Sequence, residues 1–133
     1  MNNQKPKILI VEDESITAMD LKRNLQSYGN IDVTVSNNGL DAIMKSEVER
    51  PDLILMDIML KGQLNGIDVA DIISKKREVP IIYISAYTDD ETILNAHITK
   101  PFAFLGKPFD ESELHKTVSE ALSKHKTEYH QIA

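Results

Sequence analysis

The sequence contains no cysteine, which excludes disulfides and thiolate metal sites and leaves the compartment open. It has no surplus of positive charge: 15 Lys and Arg stand against 21 Asp and Glu, for a net charge of −6. A nucleic-acid-binding surface is therefore not expected. The only basic cluster, Lys75-Lys76-Arg77, reads as a solvated helix end, where cations are favoured. Long apolar runs are also missing, and none approaches the roughly 20 residues of a membrane span, so no membrane partner is expected. Behind the N-terminal Met-Asn-Asn-Gln-Lys-Pro-Lys there is no apolar signal segment, and the expected location is cytoplasmic. His97, His115, His125 and His130 show no metal-ligand spacing and read as surface residues. There are no internal repeats beyond a local echo, Lys-Pro-Phe at 100–102 and again at 107–109.

What is present is ordinary in composition and unusual in arrangement. With 133 residues, 41% hydrophobic and 27% charged, the chain suits one soluble domain with a sizeable core. Four short apolar runs each stop on a residue that carries chemistry. Ile8-Leu9-Ile10-Val11 runs into Glu12-Asp13, and Leu53-Ile54-Leu55-Met56 ends on Asp57. Pro80-Ile81-Ile82-Tyr83-Ile84 ends on Ser85, and Phe102-Ala103-Phe104-Leu105-Gly106 ends on Lys107-Pro108. Such runs read as buried strands of a parallel sheet, whose ligands bind at the carboxyl ends of the strands. Three acids, a hydroxyl and an ammonium would then share one edge, a set suited to Mg²⁺ and a phosphoryl group.

Strand and helix patterns alternate five times. Ala18, Leu21, Leu25 and Tyr28 recur at helical spacing, with Gly29 as a stop. Asp32–Ser36 reads as a strand. Asn38 caps a second helix, with Leu40, Ile43, Met44 and Val48 expected on its inner face and Pro51 ending it. After Asp57 a loop from Met59 to Asn65 leads to a helix from about Gly66 to Arg77. Thr88-Asp89-Asp90-Glu91 is a capping-box pattern opening a helix to about Ile98. Asp110-Glu111-Ser112-Glu113 caps a last helix with Leu114, Val118, Ala121 and Leu122 inward. The polar tail over 124–133 is expected to extend it. The pattern predicts an α/β fold: a doubly wound, flavodoxin-like, five-stranded parallel sheet of order 2-1-3-4-5 with five helices. Its switch point, between the first and third strands, would set Glu12-Asp13 against Asp57.

These residues together resemble a family. The acidic pair after the first strand, the Asp after the third, the Ser after the fourth, the aromatic within the fifth and the Lys-Pro after it match, in order and spacing, a CheY-like receiver domain of two-component response regulators. The resemblance runs from about Lys7 to Ser123, and the whole chain, 1–133, is expected to be a single receiver domain with its core at about 7–123. It implies a signalling switch rather than a metabolic enzyme. Asp57 would be the phosphoacceptor, served by a sensor histidine kinase or a phosphotransfer protein. Glu12, Asp13, Asp57 and the Met59 backbone carbonyl would hold Mg²⁺, and Ser85 and Lys107 would contact the phosphoryl group. Ser85 and Phe104 would relay the change to the face of the fourth helix, fifth strand and fifth helix, with homodimerisation on phosphorylation a possible output. The resemblance also implies a cis Lys107–Pro108 bond. The chain is too short for a further output domain, so a stand-alone or excised receiver is expected.

The chemistry is coherent without the family. Three clustered carboxylates repel one another by about 4 kcal/mol per pair at an effective dielectric near 20. A divalent cation and Lys107 relieve that repulsion, and Asp57 can then act as a nucleophile toward a phosphoryl donor. Competing readings exist for each residue. Asp57 as a helix cap is disfavoured, because the next helix starts only near Gly66. Glu12 or Asp13 could cap the first helix, and Ser85 could be a turn residue. Lys100 precedes the fifth strand and so lies at the wrong edge, which favours Lys107. Phe104 is also readable as a core aromatic. An alternative from the enzyme class, a haloacid-dehalogenase-type Mg²⁺-dependent phosphatase, needs a second Asp where this chain has Met59. Three departures from the family pattern stand out: Glu12 where Asp is commoner, Lys61 where a Pro is usual, and Gly66 one residue later than usual. Met59 and Tyr87 sit two residues past Asp57 and Ser85, positions that in receivers influence how water reaches the phosphoryl group.

Overall fold

The computed structural model describes residues 5–86 and 89–132, of which 125–132 are described as backbone only. In chain order the elements are β1 (Lys7–Val11), α1 (Ser15–Tyr28), β2 (Asp32–Ser36), α2 (Gly39–Glu49), β3 (Leu53–Asp57), α3 (Gly66–Lys76), β4 (Ile81–Ser85), α4 (Asp90–Ile98), β5 (Ala103–Gly106) and α5 (Glu111–Ile132). The five strands form one sheet of order β2-β1-β3-β4-β5, and every pairing is parallel. This is the expected α/β architecture with its five helices.

Strand alternation divides the core into two layers. Ile8, Ile10, Leu53, Leu55, Ile82, Ile84 and Leu105 meet Leu21 and Leu25 of α1 and Leu114, Val118 and Ala121 of α5. Leu9, Val11, Ile54, Met56 and Tyr83 point the other way, onto Ala42 of α2, Val69, Ala70 and Ile73 of α3, and Ala96 of α4. Helices thus cover both faces, which is why the central strands are apolar on both sides. The helix starts follow local capping. Asn38 accepts the Asp41 amide, Asn65 and Asp68 form a reciprocal capping box, and Asp110 accepts the Glu113 amide at 2.7 Å. Gly29 does end α1, in extended backbone rather than the left-handed conformation typical of glycine stops. The Lys107–Pro108 bond is cis, as the resemblance implied.

Four expectations need correction or limits. Leu40, Met44 and Val48 do not face inward: they are 73%, 58% and 76% exposed. The buried residues of α2 are Gly39, Ala42 and Ser46, with Ile43 half-buried. The reason is close approach to α3, since a Cβ at Gly39 would lie 2.6 Å from Val69 Cγ2. Small residues must therefore face α3, and that phase turns the 40/44/48 stripe to solvent. The cap of α4 is Asp89, which accepts the Thr92 amide at 2.7 Å, one residue later than the Thr88 pattern suggested. Arg77 is not simply solvated, because it donates to the Pro51 carbonyl at 2.8 Å and burial lowers its pKa. Tyr28 is partly exposed and its ring stacks on His115 at 4.4 Å, so His115 is only partly at the surface. Tyr87, Thr88 and the side chains of His125 and His130 lie outside the described residues, as does residue 133 of the tail; α5 itself runs on to Ile132.

Candidate functional site

The carboxyl ends of β1 and β3 are adjacent strands in register, Val11 beside Met56. The residues that follow them converge. Glu12, Asp13 and Asp57 each offer a carboxylate oxygen, and these oxygens all lie within 4.8 Å of one another. Glu12 and Asp57 are only 2% and 6% exposed, whereas Asp13 is half-buried at the rim. Lys107, placed by the turn after β5, sets its ammonium 2.8 Å from Glu12 Oε1 and 4.0 Å from Asp57 Oδ2. Its backbone N–H donates to the Ser85 carbonyl at 2.8 Å, which ties the ends of β4 and β5 together. Ser85 is buried at the end of β4, one residue past the Asp57–Ile84 register pair. Lys100 precedes β5 and so belongs to the opposite edge.

Backbone amides orient the acids. Met59 N–H donates to Asp57 Oδ1 at 3.0 Å, and Glu14 N–H donates to Glu12 Oε2 at 3.1 Å. Lys61 N–H donates to Asp13 Oδ2 at 2.9 Å. Each bond holds a carboxylate plane without adding positive charge. The charge is therefore uneven, with three carboxylates facing one ammonium. Burial first, and then the nearby Glu12 carboxylate, push the Asp57 pKa up to about 6, although the Met59 amide and Lys107 oppose the shift. Burial works against the Lys107 ammonium, but Glu12, Asp57 and Glu14 outweigh it and hold its pKa above the usual lysine value. A set of all-oxygen donors with an unbalanced negative charge fits a hard divalent cation such as Mg²⁺.

Besides the Met59 and Glu14 amides, two features of the site escaped sequence reasoning. Gly66 opens α3 directly beneath Asp57: a Cβ there would lie 2.1 Å from the Asp57 carbonyl oxygen and 2.8 Å from Ile58 Cα. Its N–H donates to the Ile58 carbonyl at 3.0 Å. The signal was visible, a glycine at the first position of a helix close behind a functional strand end, but its reason was not. The second is the Lys61 amide, for which sequence carries no signature. Phe104 lies away from the acids. It is half-buried, with its ring 4.8 Å from His97 of α4 and 5.6 Å from Tyr83 of β4. Tyr83 is fully buried, and its hydroxyl pairs with Thr99 Oγ1 at 2.6 Å.

Known proteins resemble this chain in sequence and in fold. The model of the response regulator receiver domain matches residues 8–119. The chain is 33% identical over 118 residues to the transcriptional regulatory protein PdtaR of Mycobacterium tuberculosis, a match covering 89% of the chain and 57% of that protein. It is 36% identical over 117 residues to the phyllosphere-induced regulator PhyR of Methylorubrum extorquens, covering 87% of the chain and 43% of that protein. The chain thus spans about half the length of the curated relatives it matches. Among solved structures, the signal receiver domain of a modulated diguanylate cyclase from Desulfovibrio desulfuricans superposes with a TM-score of 0.87 at 37% identity, over 94% of this chain and 99% of that one. No helix among the described residues is long and apolar enough to cross a membrane.

Proposed function

The chain belongs to the response regulator receiver family, and on that premise we propose that residues 1–133 form a single receiver domain that acts as a phosphorylation switch with Asp57 as the phosphoacceptor. The observation that carries this reading is the convergence of Glu12, Asp13 and Asp57 oxygens within 4.8 Å, with Lys107 reaching both Glu12 and Asp57. Asp13, Asp57 and the Met59 carbonyl would hold Mg²⁺, with Glu12 acting through water. When bound, Mg²⁺ would supply positive charge to offset the acids and the charge that develops on the transferring group. The donor is a phosphohistidine of a sensor kinase or phosphotransfer protein. An Asp57 carboxylate oxygen attacks phosphorus, the O–P bond forms as the N–P bond breaks, and the leaving imidazole takes a proton from solvent. The Met59 N–H keeps the Asp57 carboxylate in one plane for this attack. Lys107 and the Ser85 hydroxyl stabilise the developing charge on the phosphoryl oxygens.

The protein turns over no metabolic substrate in this reading. Haloacid-dehalogenase-type phosphatase chemistry is disfavoured, because Met59 has no carboxyl to serve as general acid. The setting is cytoplasmic. The output is a change at the α4-β5-α5 face: Ser85 moves toward the phosphoryl group and Phe104 shifts against Tyr83 and His97, with homodimerisation one consequence. Amide spectra recorded while adding beryllofluoride and Mg²⁺ test this. Shifts should extend from the loops around Asp57 to residues 89–122 and be lost in Ser85→Ala. Shifts confined to the Asp57 loops, or a distal response intact in Ser85→Ala, would contradict it.

A further inference from the structure

We propose that the backbone amide of Lys61 is a positioning group for Asp13, one that sets the metal affinity of the site from the β3–α3 loop. Asp13 is the least buried of the three acids and has the most freedom to lose. Its Oδ2 accepts the Lys61 N–H at 2.9 Å across 48 residues of sequence. A carboxylate has about four acceptor positions, so this bond fixes the side chain and leaves Oδ1 and the remaining lone pair for a cation. The loop holds the amide in place from both sides. Leu60, immediately before it, is buried in the same core layer as Ile58 and Val69. Gly62, immediately after it, has φ +105°, a conformation that favours glycine and turns the chain away once the amide faces Asp13. Beyond the turn, Leu64 packs on the core and Asn65 enters the capping box of α3. The side chain of Lys61 is exposed and takes no part. A proline here, the usual residue of the family pattern, could not make the bond, because it lacks the N–H.

The inference rests on the proposed Mg²⁺ site, and a calorimetric Mg²⁺ titration of wild type, Lys61→Ala and Lys61→Pro separates the two. Alanine keeps the amide, so its Mg²⁺ dissociation constant should stay within about twofold of wild type. Proline removes it, and affinity should fall about 10-fold, as for other groups that orient a metal ligand. Wild type that binds no Mg²⁺ would overturn the metal reading and this inference with it. Wild type that binds, with Lys61→Pro binding equally well, would overturn the Lys61 role alone. So would a loss in Lys61→Ala as large as in Lys61→Pro. A Lys61→Pro protein that melts lower in EDTA yet keeps its dissociation constant would show a merely structural amide and count against the proposal. If Lys61→Pro does not fold, amide hydrogen exchange decides. The Lys61 amide should exchange about 10-fold faster in Asp13→Ala than in wild type, and equal rates would overturn the proposal.

Discussion

Replacing Asp57 by Asn should stabilise the metal-free protein, and by an amount that depends on pH. The Asp57 carboxyl is pushed up to about 6 from 3.8, burial being the first cause and Glu12 a second. At an effective dielectric near 20, a carboxylate within 4.8 Å repels by about 3.5 kcal/mol and an ammonium at 4.0 Å attracts by about 4 kcal/mol. Glu12 and Lys107 therefore nearly offset each other, leaving burial to decide the direction. Because the folded pKa is raised, the folded state binds a proton more tightly than the unfolded chain. Its relative stability is fully present below pH 3.8 and is lost as pH rises through about 6. Above that, the ionised carboxyl costs at most about 3 kcal/mol, at about 1.4 kcal/mol per pH unit. Solvent at the rim of the site screens this to about 1–2 kcal/mol. Asn keeps a carbonyl to accept the Met59 N–H and carries no charge. Urea unfolding in EDTA should show Asp57→Asn more stable by about 1–2 kcal/mol at pH 7.5, with the gap about halved at pH 5. A variant no more stable than wild type at pH 7.5, or a gap that ignores pH, would refute the reasoning.

Three further outcomes follow from other contacts. Gly66→Ala should lower stability by about 3 kcal/mol or more in a urea titration, because its Cβ would meet the Asp57 carbonyl at 2.1 Å and backbone cannot yield cheaply. Lys107→Met should leave the buried Glu12 and Asp57 without their cation and cost about 2 kcal/mol in EDTA at pH 7.5. Since the Lys107 pKa is raised, wild type should keep that stabilisation up to pH 10.5 and lose it only as pH rises through the higher folded value. Mg²⁺ at ten times its dissociation constant should add about 1.4 kcal/mol to wild type by mass action, and thermal melts should show no such gain in Asp13→Ala.

The order of elements and the carboxyl-edge residues were legible because four of the five strands are apolar runs that stop on polar residues, a pattern that survives without tertiary information. The phase of α2 was not. Leu40, Met44 and Val48 form a sound apolar stripe, but Gly39, Ala42 and Ser46 allow a closer approach to α3, and that approach is a property of two helices. Helix starts were legible to within a residue, and Asp89 won over Thr88 as the cap of α4. The acids themselves were found, but the amides of Met59, Lys61 and Glu14 that aim them were not. Every residue but proline carries such a donor, and only the fold decides which carboxylate it meets. Tyr83 read as one more apolar strand residue, yet its hydroxyl ties β4 to Thr99 at the end of α4.

The central claim, a receiver that takes its phosphoryl group on Asp57, meets its most direct test in intact mass after incubation with acetyl phosphate and Mg²⁺. Wild type should gain the mass of one phosphoryl group, and there should be no gain when Mg²⁺ is chelated before the reaction or in Asp57→Asn. A phosphoryl gain that persists in Asp57→Asn, or no gain in wild type with Mg²⁺ present, would contradict it.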